Sequence, residues 1–159
     1  MPSTVLQARD VTFEFPQQPV FRLFSATISA GITYVLGGES CGKSTLLRLF
    51  SGDCGISSND NLASYKKNVF WVDPRTNEHD QISPNNYFDI QRKAYPEFDE
   101  ALLLELVEGL SLNDHISKAM YMLSAGSKRK VWLAAAFASG ATVTLLDEPF
   151  AALDKASIN

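Results

Sequence analysis

The chain has only two cysteines, Cys41 and Cys54, in 159 residues. That is too few for a disulfide scaffold and predicts a reduced, cytosolic protein. Long apolar runs are missing as well. The longest, 131–138, has eight residues, whereas a bilayer-spanning helix needs about 20. The opening MPSTVLQARD has no basic stretch followed by an apolar one, so no signal peptide is expected. Basic charge is in the minority, with 14 Lys and Arg against 18 Asp and Glu and a net charge of −4. Nothing in this balance suggests a broad basic face for DNA or RNA, and no nucleic-acid partner is expected. The two histidines, His79 and His115, are expected at the surface. No internal repeats or low-complexity tracts occur. What is present is ordinary for one folded domain spanning 1–159: 45% hydrophobic and 20% charged residues, enough for a real core.

Residues 5–29 read as two β segments, VLQARDVTFEF and VFRLFSATIS, separated by a PQQP break. ITYVLG (32–37) predicts a buried strand, and KSTLLRLFSG (43–52) predicts a helix capped at Gly52. KNVFWVD (67–73) reads as another buried strand. Helices are expected after Ser83–Pro84 and after Asp99, the latter with Leu102, Leu103, Leu106, Val107 and Leu110 on one face. A further helix covers 124–138, ATVTLLDEP (141–149) holds a strand, and LDKASIN starts another helix. Strands alternating with helices predict an α/β fold with a mainly parallel sheet and an N-terminal antiparallel β segment. A helical lobe is inserted at about 84–138.

GGESCGKST (37–45) lies after a predicted strand and before a predicted helix. Glycines there let successive N–H groups and the helix start wrap around phosphate. Gly37, Gly38, Glu39, Ser40, Cys41, Gly42, Lys43, Ser44 and Thr45 form the predicted cradle. Lys43 reaches the β and γ phosphates, and the Ser44 hydroxyl is a hard oxygen ligand suited to Mg²⁺. The alternative is a glycine-rich turn that binds nothing. Cys41 needs only to be small. VTLLDEP (143–149) supplies the matching carboxylates: Asp147 to hold Mg²⁺ through water, and Glu148 to orient and deprotonate an attacking water. Asp-Glu-Pro is also a common way to leave a strand. LSAGS (123–127) contains no acid, base or metal ligand, yet places Ser124, Ala125 and Gly126 at a helix start suited to an anion. The bland alternative is a plain serine cap.

The order phosphate loop, LSAGS, LLDEP and then ALD (152–154) resembles the ATP-binding cassette family, the nucleotide-binding subunits of ABC transporters. The resemblance covers nearly the whole chain, and 123–154 aligns to the family pattern without a gap. It implies a P-loop NTPase fold and hydrolysis of ATP with Mg²⁺. In that family two subunits meet head to tail, and the signature of one binds the γ phosphate held by the other. Ser124, Ala125 and Gly126 would then read a partner's nucleotide. Phe15 falls where the family stacks an aromatic on adenine, and Asp154 lies in the loop that links the two sites. Lys128, Arg129 and Lys130 are expected on a solvated helix face at the subunit interface. The partners implied are a second ABC ATPase subunit and integral membrane permease subunits. The implied location is cytoplasmic, peripheral at the inner face of the cell membrane.

The match departs from the family in three places. Ala125 and Ser127 replace a glycine and a glutamine of the signature. Alanine is tolerable there if its φ is negative. Pro74 stands where the family has a glutamine touching Mg²⁺ and water, with Asp73 as an oxygen substitute and Gln81 as a weaker one. The family also continues with a strand and a histidine that the 159 residues do not contain. The resemblance therefore implies that the C-terminal part of the fold is missing and that apolar surface is exposed beside the phosphate-loop strand. Such a chain should be less stable than a longer version and turn over poorly. Alternatives to a transporter ATPase are a non-transport cassette ATPase, a nucleotide-binding regulatory module with little turnover, and a phosphate-loop kinase. The last leaves LSAGS and ALD unexplained.

Overall fold

The computed structural model describes residues 4–15, 18–53, 62–63 and 68–153. Strands β1 (Thr4–Phe15) and β2 (Gln18–Ser29) form an antiparallel hairpin. Alternation buries Leu6 and Ala8. A bulge then changes the phase: Asp10 has φ +48, its N–H donates to Ser25 Oγ at 2.8 Å, and Val11 turns into the core. A short β3 (Leu62–Ala63) pairs with the other edge of β1.

Helix α1 (Lys43–Ser51) ends at Gly52, whose φ of +82 gives the left-handed cap that glycine favours. Its buried Leu46, Leu49 and Phe50 pack with Leu6, Ala8 and Val11 of the hairpin and with Leu145 of β5 (Val143–Leu145). β5 runs parallel to β4 (Val69–Trp71). The helical lobe follows the local capping chemistry. Ser83 Oγ accepts from the Asn86 N–H and Pro84 sits in the first turn of α2 (Pro84–Ala94). Asp99 caps α3 (Glu100–Gly109) by accepting from the Leu102 N–H at 2.9 Å. A 3₁₀ turn at Met120–Met122 leads to α4 (Ala125–Ala138). Tyr87, Phe88, Leu103, Val107, Met120, Val131, Ala134 and Ala135 form a second core cluster that also takes in Phe70 of β4.

The α/β fold is as expected, with differences. Among the described residues the parallel part is one pair of strands, and the segments 67–73 and 141–149 contribute only three paired residues each. Residues 32–37 do not form a buried strand. Ile32, Tyr34 and Leu36 are 86%, 76% and 88% exposed. A β-branched run favours a pleated, half-buried surface, but a ladder needs a neighbour, and no described strand pairs with this one. His79 and His115 are half-buried rather than on the surface, and the His79 ring lies 5.0 Å from that of Tyr87. LDKASIN lies outside the described residues, apart from Leu153.

Candidate functional site

Residues 37–42 turn directly into α1. Ser40 (φ +56) and Gly42 (φ +93) both take left-handed conformations. At Gly42 the requirement is steric as well, since a Cβ would lie 2.7 Å from Val20 Cγ1 and 3.2 Å from the Phe21 ring. The loop is thus pressed against β2. A Cβ on Gly37 would meet Cys41 Sγ at 2.5 Å. Lys43 opens α1, and its Nζ donates to the carbonyls of Gly38 at 2.6 Å and Gly37 at 3.1 Å. Ser44 and Thr45 complete the first turn half-buried, while Gly38, Glu39, Ser40 and Cys41 are exposed. A helix N-terminus, free loop amides and one ammonium suit a chain of phosphates.

Leu145 of β5 shares a core with Leu46, Leu49 and Phe50 of α1, so the elements carrying the loop and the carboxylates stand on one cluster. Past β5, Asp147 is half-buried and Glu148 is exposed. Glu148 has φ +46, a conformation that costs a non-glycine residue about 1–2 kcal/mol. The sequence did not reveal it. Its carbonyl accepts from the Ala151 N–H at 3.0 Å, closing a turn. Ser44 and Asp147 are oxygen donors of the kind Mg²⁺ takes alongside waters and substrate phosphates. Among the described residues no group of three His, Cys, Asp or Glu is placed to hold a metal alone.

Asp73, the oxygen substitute expected for the glutamine absent at Pro74, is already engaged by Arg75. Its Oδ1 accepts from Arg75 Nε at 3.0 Å and from the Arg75 backbone N–H at 2.9 Å. Partial burial pushes the Asp73 carboxyl up. The Arg75 hydrogen bonds, and the charges of Arg75 and Arg48, outweigh that and hold it below the usual range. The hydrogen bond and charge of Asp73 raise Arg75, and the fields of Asp147 and Glu148 add to this. Gln81 is exposed.

Ser124 is the N-cap of α4, accepting from the Ser127 N–H at 3.0 Å and donating its hydroxyl to Ser127 Oγ at 3.0 Å. Ala125 is an ordinary helical residue, as the substitution requires, with no positive φ. Gly126 is the position that needs glycine. A Cβ there would lie 2.4 Å from the Ala152 carbonyl oxygen, in a residue whose own φ is +62. Gly126→Ala is expected to destabilise the chain by about 1–3 kcal/mol through overpacking. The roughly 1 kcal/mol by which alanine is the better helix former offsets part of this, leaving a net loss of up to about 2 kcal/mol. Urea unfolding measures the difference, and a more stable variant would mean that Ala152 yields freely.

The basic run is not a solvated face. Lys128 Nζ meets Asp80 Oδ1 at 2.6 Å with side chains only 19% and 24% exposed. Arg129 Nη1 donates to the Asp147 carbonyl at 2.8 Å, and Lys130 is half-buried. Spacing was the available signal: Lys128 precedes Val131 by three residues and Ala135 by seven, the buried face of α4. The side chain of Phe15 and all of Asp154 lie outside the described residues. A cleft of ≈ 320 Å³ separates loop 74–80 from the start of α4, bordered by Arg75, Asp80, Lys128, Arg129 and Trp132.

This geometry has known counterparts. An aliphatic sulfonates import ATP-binding protein of Agrobacterium fabrum is 32% identical over 92% of this chain and 54% of its own length. A spermidine/putrescine import ATP-binding protein of Thermotoga maritima is 31% identical over 92% and 43%. The chain thus spans about half the length of these two relatives. A cytochrome c biogenesis ATP-binding export protein of Escherichia coli is 29% identical over 94% of this chain and 76% of its own. The ATP-binding subunit of an ABC transporter has the same fold, with a TM-score of 0.76 at 19% identity over 98% of this chain and 70% of that one. The profile of the ABC transporter family matches residues 21–151, and the chain belongs to that family.

Proposed function

We propose that the chain is the ATP-binding and hydrolysing part of an ABC transporter, holding Mg·ATP between its phosphate loop and the signature of a second subunit. The observation that carries this reading is the core shared by α1, which follows the anion-suited loop, and β5, which leads into Asp147 and Glu148. Loop amides, Lys43 and Ser44 bind and orient the phosphates. Ser44 and Asp147 would hold Mg²⁺, which supplies charge neutralisation to the phosphates when bound. Glu148 accepts the proton of the attacking water. Ser124 and Gly126 offer a hydroxyl and helix-start amides to the partner's γ phosphate, with Phe15 and Asp154 in their family roles. The 159 residues belong to a single ATP-binding unit, with a helical lobe at about 84–138.

Permease subunits would engage the lobe together with 73–90. Three contacts favour this, joining that segment to the signature region: Met120 N–H to Ile82 O at 2.8 Å, Tyr121 N–H to Asp80 O at 2.9 Å, and Lys128 to Asp80. No helix among the described residues is long and apolar enough to cross a membrane, so attachment to one would be through such partners on the cytoplasmic side. Pro74, together with an Asp73 already engaged by Arg75, favours a second reading, a regulatory module that binds ATP with little turnover.

Light scattering on the Glu148→Gln chain tests the proposal. A monomer that becomes a dimer only with Mg·ATP supports nucleotide sandwiched between two copies. A folded monomer in both conditions removes homodimeric signature reading for this chain.

A further inference from the structure

Beyond the residues of the two motifs, the first two turns of α4 grip the loop that carries Glu148 at two points. Gly126 lets the helix start approach the Ala152 carbonyl so closely that a Cβ would stand 2.4 Å from it. Arg129, one turn on, donates from Nη1 to the Asp147 carbonyl at 2.8 Å, with its guanidinium 6.0 Å from the Trp132 ring centroid. That carbonyl belongs to the peptide joining Asp147 to Glu148. Its plane sets where the Glu148 chain begins, and Glu148 (φ +46) and Ala152 (φ +62) are the strained residues of the segment. Strain of this kind persists only where surrounding contacts over-determine it. A charged donor on the carbonyl is such a contact, because charge-assisted hydrogen bonds are shorter and stronger than neutral ones.

We infer that Arg129 is a positioning residue: it fixes the Asp147–Glu148 peptide and so ties the helix that opens with Ser124–Gly126 to the hydrolytic carboxylate of its own chain. The inference rests on the proposed roles of Glu148 and the signature. The helix start would read one nucleotide while Arg129 aligns the base acting on another. A shift of α4 by either event would reach the other through one hydrogen bond. Lysine can keep the charge and one donor but not the planar fork, so it should replace arginine only in part.

The test compares Arg129→Met, which keeps the apolar stem, with Arg129→Lys. Arg129→Met should lower kcat for ATP by about 10- to 100-fold, the scale of misplaced supporting groups, with ATP affinity unchanged. Arg129→Lys should recover part of the loss. So should guanidinium added to Arg129→Met below its denaturing range, since Arg129 borders the open ≈ 320 Å³ cleft. In ¹⁵N-labelled chains without nucleotide, the Glu148 amide signal should move in Arg129→Met and return toward the parent position in Arg129→Lys. Parent-like kcat in Arg129→Met, or an unmoved Glu148 amide, overturns the inference. Equal losses of affinity and kcat without rescue would mean a merely structural residue and overturn it too. If the parent chain binds Mg·ATP without turnover, the hydrolytic reading fails alone, and the amide signal still decides whether Arg129 sets the peptide.

Discussion

Replacing Glu148 by glutamine should lower ATP turnover by roughly 10²- to 10⁴-fold, the usual contribution of a positioned general base, while ATP binding survives. Glutamine has the same shape, can occupy the same exposed tip beyond β5, and removes only the ability to take a proton. The backbone gives it no new strain, because the φ of +46 is set by the Ala151 and Arg129 contacts to main-chain atoms. In energy the loss is about 3–5 kcal/mol of transition-state stabilisation. Phosphate release measured beside calorimetric affinity separates the two effects. Hydrolysis at the parent rate would show that another group is the base.

Lys43→Ala should act one step earlier, on binding itself. An ammonium on phosphate oxygens makes charge-assisted hydrogen bonds worth about 1.5–3 kcal/mol each. Two of them correspond to an affinity loss of about 10²- to 10⁴-fold. Lys43 Nζ also bridges the Gly37 and Gly38 carbonyls, so its removal should loosen the loop and add to the loss. The fold should hardly notice, since these contacts are exposed and Lys43 belongs to neither core cluster. Calorimetric titration with Mg·ATP, paired with a melting curve, reads both quantities. Unchanged affinity would refute the phosphate-loop assignment. A collapse in melting temperature would mean that Lys43 holds the fold and not the ligand.

Much of the site was legible because its signals are local. The phosphate loop is nine contiguous residues that need only their own glycines and the helix start after them. The caps at Ser83, Asp99, Ser124 and Gly52 were legible for the same reason, each being satisfied within three or four residues. The reading of 32–37 as a buried strand failed because strand formation is a property of pairs. Apolar β-branched residues state a preference, but only a neighbouring backbone makes a ladder. That Asp73 is engaged was not legible, since its partner is Arg75, two residues on, whose side chain folds back onto it. Nothing in WVDPR said in advance whether that arginine would turn toward Asp73 or away.

The sequence by itself determined the order of motifs, the helix starts, the family, and which side chains are candidates for phosphate, metal and proton transfer. Tertiary structure decided where the basic run points. Lys128 finds Asp80 across 48 residues, and Arg129 finds the Asp147 carbonyl across 18. It also decided that Glu148 sits at a left-handed φ and that Gly126, rather than residue 125, is the position where a methyl group does not fit. The physical reason is range. Capping, turn and loop chemistry acts over a few bonds and is written in neighbouring letters. A hydrogen bond between distant elements depends on how two cores pack against each other.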